Sequence, residues 1–270
     1  MRLLFIGDIY GRSGRDAVEK HLPTLKETLK PDVTIINGEN AAHGRGITSK
    51  MCEELFNQGA DCITTGNHAW SQREIIPYME REKRLIRPAN YPDGAYGKGS
   101  YELQIPDGRK VLIINMMARI YMDAIDCPFQ GIDKILNTAR LGQNYAAIFV
   151  DFHGEATSEK MAFGHYCDGR VSGVIGTHTH IPTADNHVMV GGTAYMSDAG
   201  MTGDYDSVIG AKKHVPIHRF TKKTPCAHME PASGEASLCG ALIDIDDKTG
   251  LARSIQRLRV GGVLSEEIPA

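Results

Sequence analysis

Five short apolar runs in this 270-residue chain lead directly into polar residues. Each run is typical of a buried strand, and the polar residues are of types that bind metal ions in proteins. In open α/β sheets, ligand sites gather at the carboxyl ends of the strands. Glycine beside such residues lets the backbone turn sharply and approach a ligand closely. The strand ends are therefore expected to meet at one site. The five segments are Gly7-Asp8, Gly38-Glu39-Asn40, Gly66-Asn67-His68, Asp151-Phe152-His153-Gly154 and Gly176-Thr177-His178-Thr179-His180.

The first two-thirds of the chain alternates apolar runs with helical patterns. Apolar residues from Val18 to Leu29 recur every three or four positions, which predicts an amphipathic helix that ends before Pro31. Thr48 is a candidate helix cap, and Ser71 with Glu74 forms a capping-box pattern that predicts another helix start. The pattern also predicts strands at 3–6, 33–37, 62–65, 111–114, 147–150 and 174–175, and helices at 131–141 and 158–166.

After about residue 185 the pattern changes to short alternating segments separated by glycine-containing turns. Residues 238–245 and 254–260 are expected to pair as a hairpin around Asp247-Lys248-Thr249-Gly250. The fold class is therefore α/β, a layered sandwich of mixed sheets flanked by helices with an antiparallel second half. Residues 1–270 are predicted to form a single domain.

The composition excludes several classes of protein. A formal net charge of -3 argues against dedicated DNA binding, although it allows a local basic pocket. No run approaches the ~20 apolar residues of a membrane span, and the first run is too short for a signal peptide. The six cysteines form no C-x-x-C pair, which favours reduced, mostly buried thiols. We therefore expect a cytoplasmic protein with no membrane contact.

The candidate ligands offer oxygen and nitrogen donors and no thiolate, a set that suits iron, manganese or zinc. They outnumber the three or four ligands of one catalytic zinc ion, so two ions fit better. Glu39 is the expected bridge between ions about 4 Å apart, with a bridging water attacking phosphate as hydroxide. The seven candidates are Asp8, Glu39, Asn40, Asn67, His153, His178 and His180.

Three histidines need a particular geometry. His178 and His180 would point the same way on an extended segment, so they can reach adjacent ions only if the chain bends between them. His68 follows Asn67 directly and is the candidate general acid for the leaving oxygen, with a pKa expected near working pH.

Taken together, these motifs resemble those of the calcineurin-like metallophosphoesterases, and most closely those of the YmdB-like phosphodiesterase branch. The resemblance runs from Arg2 to about Arg257. It implies a four-layered metallophosphoesterase sandwich with a di-iron or di-manganese site. It also implies hydrolysis of phosphodiesters, with 2′,3′-cyclic nucleotides as the substrate class. The matching pieces include Asn37-Gly38-Glu39-Asn40-Ala41-Ala42, Thr65-Gly66-Asn67-His68-Ala69-Trp70, Phe152-His153-Gly154-Glu155 and Asp198-Ala199-Gly200-Met201-Thr202-Gly203.

The resemblance also implies a role for each candidate residue. One ion would be held by Asp8, Glu39, Asn40 and His180, and the other by Glu39, Asn67, His153 and His178, with His68 as the acid. The chain departs from the wider superfamily at two positions. Tyr10 stands where a histidine is usual, and Glu39 stands where an aspartate usually bridges.

Other interpretations stay open at several positions. Asp8 could cap a helix, and Asn40 could make a turn. Residues 11–15 could bind phosphate or simply form a turn into a helix. Residues 43–46 are expected to form a flexible rim, with substrate contact as the alternative. Trp70 is expected to pack in the core, with stacking on a base as the alternative. His214 and His218 are expected on the surface outside a helix, because a proline lies between them.

Alternatives also remain for the function. The chain could be a phosphomonoesterase, or a metal-containing binding module that acts through a partner. The expected ligand is a small phosphoester, either a cyclic nucleotide or an RNA-derived end, and assembly into a homo-oligomer is left open.

Overall fold

The computed structural model describes residues 1–270 and contains eleven strands and six α-helices. The strands are β1 (Arg2–Ile6), β2 (Val33–Asn37), β3 (Cys62–Thr64), β4 (Ser100–Gln104), β5 (Lys110–Met117), β6 (Ala147–His153), β7 (Gly173–Thr177), β8 (His187–Val188), β9 (Ala194–Met196), β10 (Leu238–Ile245) and β11 (Ala252–Val260). The helices are α1 (Gly11–Leu29), α2 (Ser49–Asn57), α3 (Ile76–Arg81), α4 (Pro128–Leu136), α5 (Thr157–Cys167) and α6 (His214–Lys222).

The strands form two mixed sheets. The first has the order β11-β10-β1-β2-β3, and the second has the order β4-β5-β6-β7-β9-β8. Strands β1, β2 and β3 run parallel, as do β5, β6, β7 and β9, whereas β10 and β11 pair antiparallel. The late hairpin is therefore confirmed, while the parallel position of β9 departs from a wholly antiparallel second half.

Alternation along the central strands gives the molecule four layers. In β1, Leu3 and Phe5 face the core between the sheets, whereas Leu4 and Ile6 face the core shared with α1, α2 and α3. Phe149 of β6 meets Phe5 across the inter-sheet core, with ring centroids 5.1 Å apart. Residues of β6 on its other face pack on α4 and α5. This layered α/β sandwich is the predicted fold class. That residues 1–270 form a single domain stays a prediction.

Two local predictions were wrong, and one strand was missed. Ser71 caps no helix, because Glu74 instead accepts hydrogen bonds from the backbone N and Oγ of Ser49 at the start of α2. Residues 214–222 do form a helix, since Pro216 lies in its first turn, where no intrahelical donor is required. Strand β4, an edge strand with partly exposed side chains, has no counterpart among the predicted strands.

Other local predictions hold. The Thr48 side chain accepts a hydrogen bond from the backbone N of Met51 and so caps α2. All six cysteines are free, and Cys52, Cys62, Cys167 and Cys239 are buried. No helix is both long enough and apolar enough to cross a membrane.

Candidate metal centre

The carboxyl ends of parallel strands from both sheets meet at one site. Asp8 follows β1, Glu39 and Asn40 follow β2, and Asn67 follows β3. His153 is the last residue of β6, while His178 and His180 follow β7. Five of these seven side chains are buried, and those of Asn67 and His178 are partly exposed. The structure thus brings together residues that lie up to 172 positions apart.

The distances define two groups of side chains. His153 Nε2 lies 2.9 Å from Asn67 Oδ1, 3.1 Å from His178 Nδ1 and 3.5 Å from Glu39 Oε1. In the second group, Asn40 Nδ2 lies 3.0 Å from His180 Nε2. Asp8 adjoins the first group, because its Oδ2 accepts a hydrogen bond from the His178 backbone N at 3.2 Å.

The segment after β7 bends as the two histidines require. His178 and His180 have φ values of 98° and 68°, a left-handed backbone that non-glycine residues rarely adopt. Asp198 holds the bend, since its Oδ2 accepts hydrogen bonds from the N and Oγ1 of Thr179 at 3.0 and 2.8 Å. Lys160 Nζ donates to the same carboxylate oxygen and to the Thr177 carbonyl, both at 2.8 Å.

Each of the three imidazoles has a partner on the nitrogen that faces away from the cluster. His180 Nδ1 donates to the Ile209 carbonyl at 2.8 Å, and His178 Nε2 lies 3.3 Å from Glu155 Oε2. Thr177 Oγ1 donates to Asp151 Oδ1 at 2.7 Å, so it accepts from His153 Nδ1 at 2.9 Å. Hydrogen bonds of this kind fix the imidazole tautomer in metal sites. They direct His153 Nε2, His178 Nδ1 and His180 Nε2 into the cluster.

Burial dominates the electrostatics of the carboxylates at this site. Burial, with Asp198 nearby, raises the pKa of Asp8 to about 7, and burial raises the pKa of Glu39 well above its usual value. Burial also keeps the neighbouring histidines neutral, lowering the pKa of His178 to about 4. Asp8 Oδ1 and Glu39 Oε2 are buried without any hydrogen-bond partner. Such atoms are costly to bury unless they bind a proton or a metal ion.

The residues present therefore fit divalent cations. The donor set is oxygen and nitrogen, one nitrogen of each imidazole points into the cluster, and two carboxylate oxygens lack hydrogen-bond partners. No group of three or more His, Cys, Asp or Glu side chains alone is arranged to hold an ion. Each predicted ligand set also includes a carboxamide, from Asn40 or Asn67, so the fit rests on the chemistry of the donors and on the two carboxylate oxygens without partners.

His68 lies beside the cluster. Its backbone N donates to Glu39 Oε1 at 2.6 Å, and its side chain lines a pocket of about 310 Å³ that also contains Glu39, Asn40, Asn67, His178 and His180. Burial, followed by the charge of Arg45, lowers the pKa of His68 to about 4. This value lies below the pKa near working pH that the sequence leads us to expect, and the role of His68 as general acid stays a prediction.

Sequence reasoning missed the support beneath the ligands. The buried Asp151 accepts hydrogen bonds through Oδ2 from Asn37 Nδ2 at 2.8 Å and Thr64 Oγ1 at 2.5 Å. Asn37 Oδ1 in turn accepts from the Glu39 backbone N at 2.9 Å. Burial raises the pKa of Asp151 to about 7. Asp151 therefore connects both sheets under the site, and an acidic residue inside an apolar strand was the available signal.

The segments whose role was open are now placed. Residues 41–46 form a hydrogen-bonded turn in which Gly46 N donates to the Glu39 carbonyl at 2.7 Å, and Arg45 lines the pocket. Residues 11–15 form the first turn of α1, and Arg15 Nη1 donates to the Ala41 carbonyl. The Trp70 ring packs against the apolar core and edge-on to Tyr91.

A layered α/β fold with these motifs at its strand ends defines a metallophosphoesterase of the calcineurin-like superfamily. Within that class, a family model described as "YmdB-like protein" matches residues 4–258. The chain belongs to this YmdB-like family.

Its relatives extend over almost the whole chain. A 2′,3′-cyclic-nucleotide 2′-phosphodiesterase of Bacillus subtilis is 46% identical over 260 residues, which cover 96% of this chain and 97% of that protein. A Mycoplasma pneumoniae crystal structure described as a novel phosphatase has a TM-score of 0.89 at 32% identity, covering 100% of this chain and 95% of the other. A Thermus thermophilus crystal structure of a hypothetical protein has a TM-score of 0.90 at 38% identity, covering 97% and 100%.

Proposed function

We propose that this chain is a dinuclear metal-dependent phosphodiesterase that hydrolyses 2′,3′-cyclic nucleotides. The observation that carries the proposal is the convergence of seven donor side chains around two buried carboxylate oxygens that have no hydrogen-bond partner. The substrate class rests on the Bacillus subtilis relative, which is named for this activity and matches 96% of the chain.

Two ions would share Glu39. In the assignment that the family resemblance implies, Asp8, Asn40 and His180 would complete one ligand set, and Asn67, His153 and His178 the other; Asp8 also adjoins His178 of the second set. Iron is the first candidate, with manganese or zinc as alternatives, because carboxylate, carboxamide and imidazole donors suit all three. When bound, such ions would lower the pKa of the attacking water and neutralise charge on the phosphoryl group.

The chain's own residues would orient and protonate the substrate. Arg45 and the exposed part of the cluster line the pocket, so a phosphoester anion would enter a site with a guanidinium beside it. His68 is the candidate donor of a proton to the leaving ribose oxygen. Because its imidazole is neutral in the free protein, it would gain that proton only when the negative charge of the substrate raises its pKa.

A panel of phosphoesters tests the function. We expect metal-replete protein to hydrolyse adenosine 2′,3′-cyclic monophosphate and to act much more slowly on the monoester adenosine 3′-monophosphate. The Glu39→Gln variant serves as the negative control, and Glu235→Gln, which changes an exposed carboxylate elsewhere, serves as the matched control. Absence of hydrolysis of every diester by metal-replete protein would contradict the proposal.

The second candidate is a phosphomonoesterase, which the description of the Mycoplasma pneumoniae structure as a phosphatase favours. The same panel separates the two, because a monoesterase would release inorganic phosphate from adenosine 3′-monophosphate faster than it opens the cyclic diester.

A further inference from the structure

One side of the pocket differs chemically from the rest. Ile209, Ala211 and Met229 line it together, and we term these three residues the apolar wall. Ile209 is 54% exposed and Met229 is 42% exposed. Apart from Tyr10, the other lining residues are polar, charged or glycine. Apolar side chains kept exposed next to a polar site mark a surface for binding an apolar group of a ligand.

Ile209 has a conformation that its side chain disfavours. Its φ of 46° lies in the left-handed region, which is a clear outlier for a β-branched residue. This conformation accompanies the hydrogen bond from His180 Nδ1 to the Ile209 carbonyl at 2.8 Å. Asparagine or glycine would supply the same carbonyl from the same backbone with less strain. The bond to His180 therefore explains the backbone but not the choice of isoleucine, which points to a separate role for the side chain.

The apolar wall is held in place by backbone hydrogen bonds. Val208 and Ala211 exchange bonds of 2.9 and 3.0 Å, which close the turn that contains Ile209. The segment after Met229 pairs with this turn, because Lys212 N donates to the Glu230 carbonyl at 2.9 Å and Ala232 N donates to the Gly210 carbonyl at 2.8 Å. The wall is thus a prearranged surface, which limits the entropy lost when a ligand binds it.

We infer that the apolar wall binds the base of a nucleotide substrate, and this inference rests on the proposed function. A nucleobase has a flat apolar face that can lie on aliphatic and thioether side chains, and polar edges that suit the polar remainder of the pocket. The phosphoester would lie at the carboxylate and imidazole cluster, and the wall borders the same 310 Å³ pocket. The wall would therefore favour substrates that carry a base over cyclic phosphates that lack one.

Binding can be tested without turnover. Isoleucine and methionine methyl groups are labelled, and their NMR shifts are followed in metal-free and zinc-loaded protein as adenosine 3′-monophosphate is added. We expect ring-current shifts at Ile209 and Met229. Ile217 and Met161, which are 52% and 43% exposed and do not line the pocket, are matched internal controls and should not move. Inorganic phosphate, which has no base, should leave all four methyl groups in place.

Kinetics give a second test. Met229→Gln and Ile209→Asn remove apolar surface, and asparagine tolerates the left-handed backbone. We expect each variant to lower kcat/KM for adenosine 2′,3′-cyclic monophosphate by about tenfold, relative to kcat/KM for methyl riboside 2,3-cyclic phosphate. A factor of about ten is the lower end of the range for the loss of one apolar contact. Met161→Gln and Ile217→Asn should leave that ratio within error of wild type.

The outcomes separate this inference from the proposed function. One outcome would overturn the role of the apolar wall alone. In it, the protein hydrolyses both cyclic esters, the wall variants keep the wild-type ratio of kcat/KM for the two esters, and the methyl groups of Ile209 and Met229 show no NMR shift. Methyl shifts at the wall with no hydrolysis of any diester would support the wall and contradict the proposed function.

Discussion

Among single residues, Glu39 is a buried carboxylate whose two oxygens have different environments. Its Oε1 accepts a hydrogen bond from the His68 backbone, while its Oε2 is buried without a partner. We expect Glu39→Gln to abolish turnover and to lower metal content, because a neutral carboxamide cannot offset the charge of two cations. The fold should survive, since the residue lies in a loop at the strand ends.

Metal analysis, turnover and thermal unfolding of Glu39→Gln check this expectation. The exposed Glu235→Gln variant is the control for loss of one negative charge. Full activity with two bound ions in Glu39→Gln would remove Glu39 from the bridging role.

His68 is the residue whose proposed role depends most on the leaving group. Its removal in His68→Ala should keep the metal content and reduce turnover of a 2′,3′-cyclic ester by about 10²–10⁴-fold. The loss should be far smaller for a nitrophenyl diester, because nitrophenolate is a stable anion that needs little protonation. Equal losses on the two substrates would mean that His68 positions the phosphate or supports Asn67 instead of donating a proton.

Motif reading identified the cluster residues but not the residues that orient them. Asp8, Glu39 and His153 stand next to glycines after apolar runs, a local pattern that the sequence displays directly. The hydrogen bond from His153 to Thr177, and onward to Asp151, depends on the pairing of β6 with β7, which sets His153 opposite Thr177. Register between strands is a tertiary property, so one sequence could not reveal this chain of bonds.

At the scale of elements, the bend after β7 depends on α5. Lys160 of α5 and Asp198 form a buried ion pair at 2.8 Å, with side chains 2% and 1% exposed. Asp198 in turn fixes Thr179 between the two histidines of the bend. The helix therefore positions His178 and His180 without contributing a candidate ligand.

Lys160→Met should lower the free energy of unfolding by about 3–5 kcal/mol, because it leaves Asp198 buried and unpaired. The double variant Lys160→Met with Asp198→Asn should recover part of that stability, since no buried charge remains, but its amide cannot accept all the hydrogen bonds from Thr179 and Gly200. Denaturant unfolding of the two variants provides the comparison. A single variant as stable as wild type would show that the pair does not hold this region.

Helices with a clear local sequence pattern could be predicted. Elements that depend on contacts with other parts of the chain could not. The regular spacing from Val18 to Leu29 predicted most of α1, and Thr48 predicted the start of α2. Ser71 has an equally good capping pattern, yet its expected partner Glu74 binds Ser49 of another element. Propensity and spacing cannot show which of two acceptable partners a side chain selects in the folded chain.

At the scale of the whole molecule, metal binding should be coupled to pH. Burial raises the pKa of Asp8 to about 7 in the metal-free fold, against 3.8 for an ordinary aspartate. The stability that protonated Asp8 contributes is therefore fully present below about pH 4 and is lost as the pH rises through about 7. A cation needs the ionised form, so binding should displace this proton.

We expect apparent metal affinity to increase by up to about tenfold per pH unit for each proton released, and to level off above about pH 7. Chelator competition across this range measures the affinity, and calorimetry in buffers of different ionisation enthalpy counts the protons. Affinity that is independent of pH between about 5 and 7 would contradict a role for Asp8 as a ligand.

Both sheets together are proposed to assemble a site for two catalytic ions. The most direct test is the turnover of adenosine 2′,3′-cyclic monophosphate while metal is added stepwise to metal-free protein. We expect no turnover without metal and a maximum at two equivalents per chain. Full turnover by the chelated protein, or a maximum at one equivalent, would contradict this proposal.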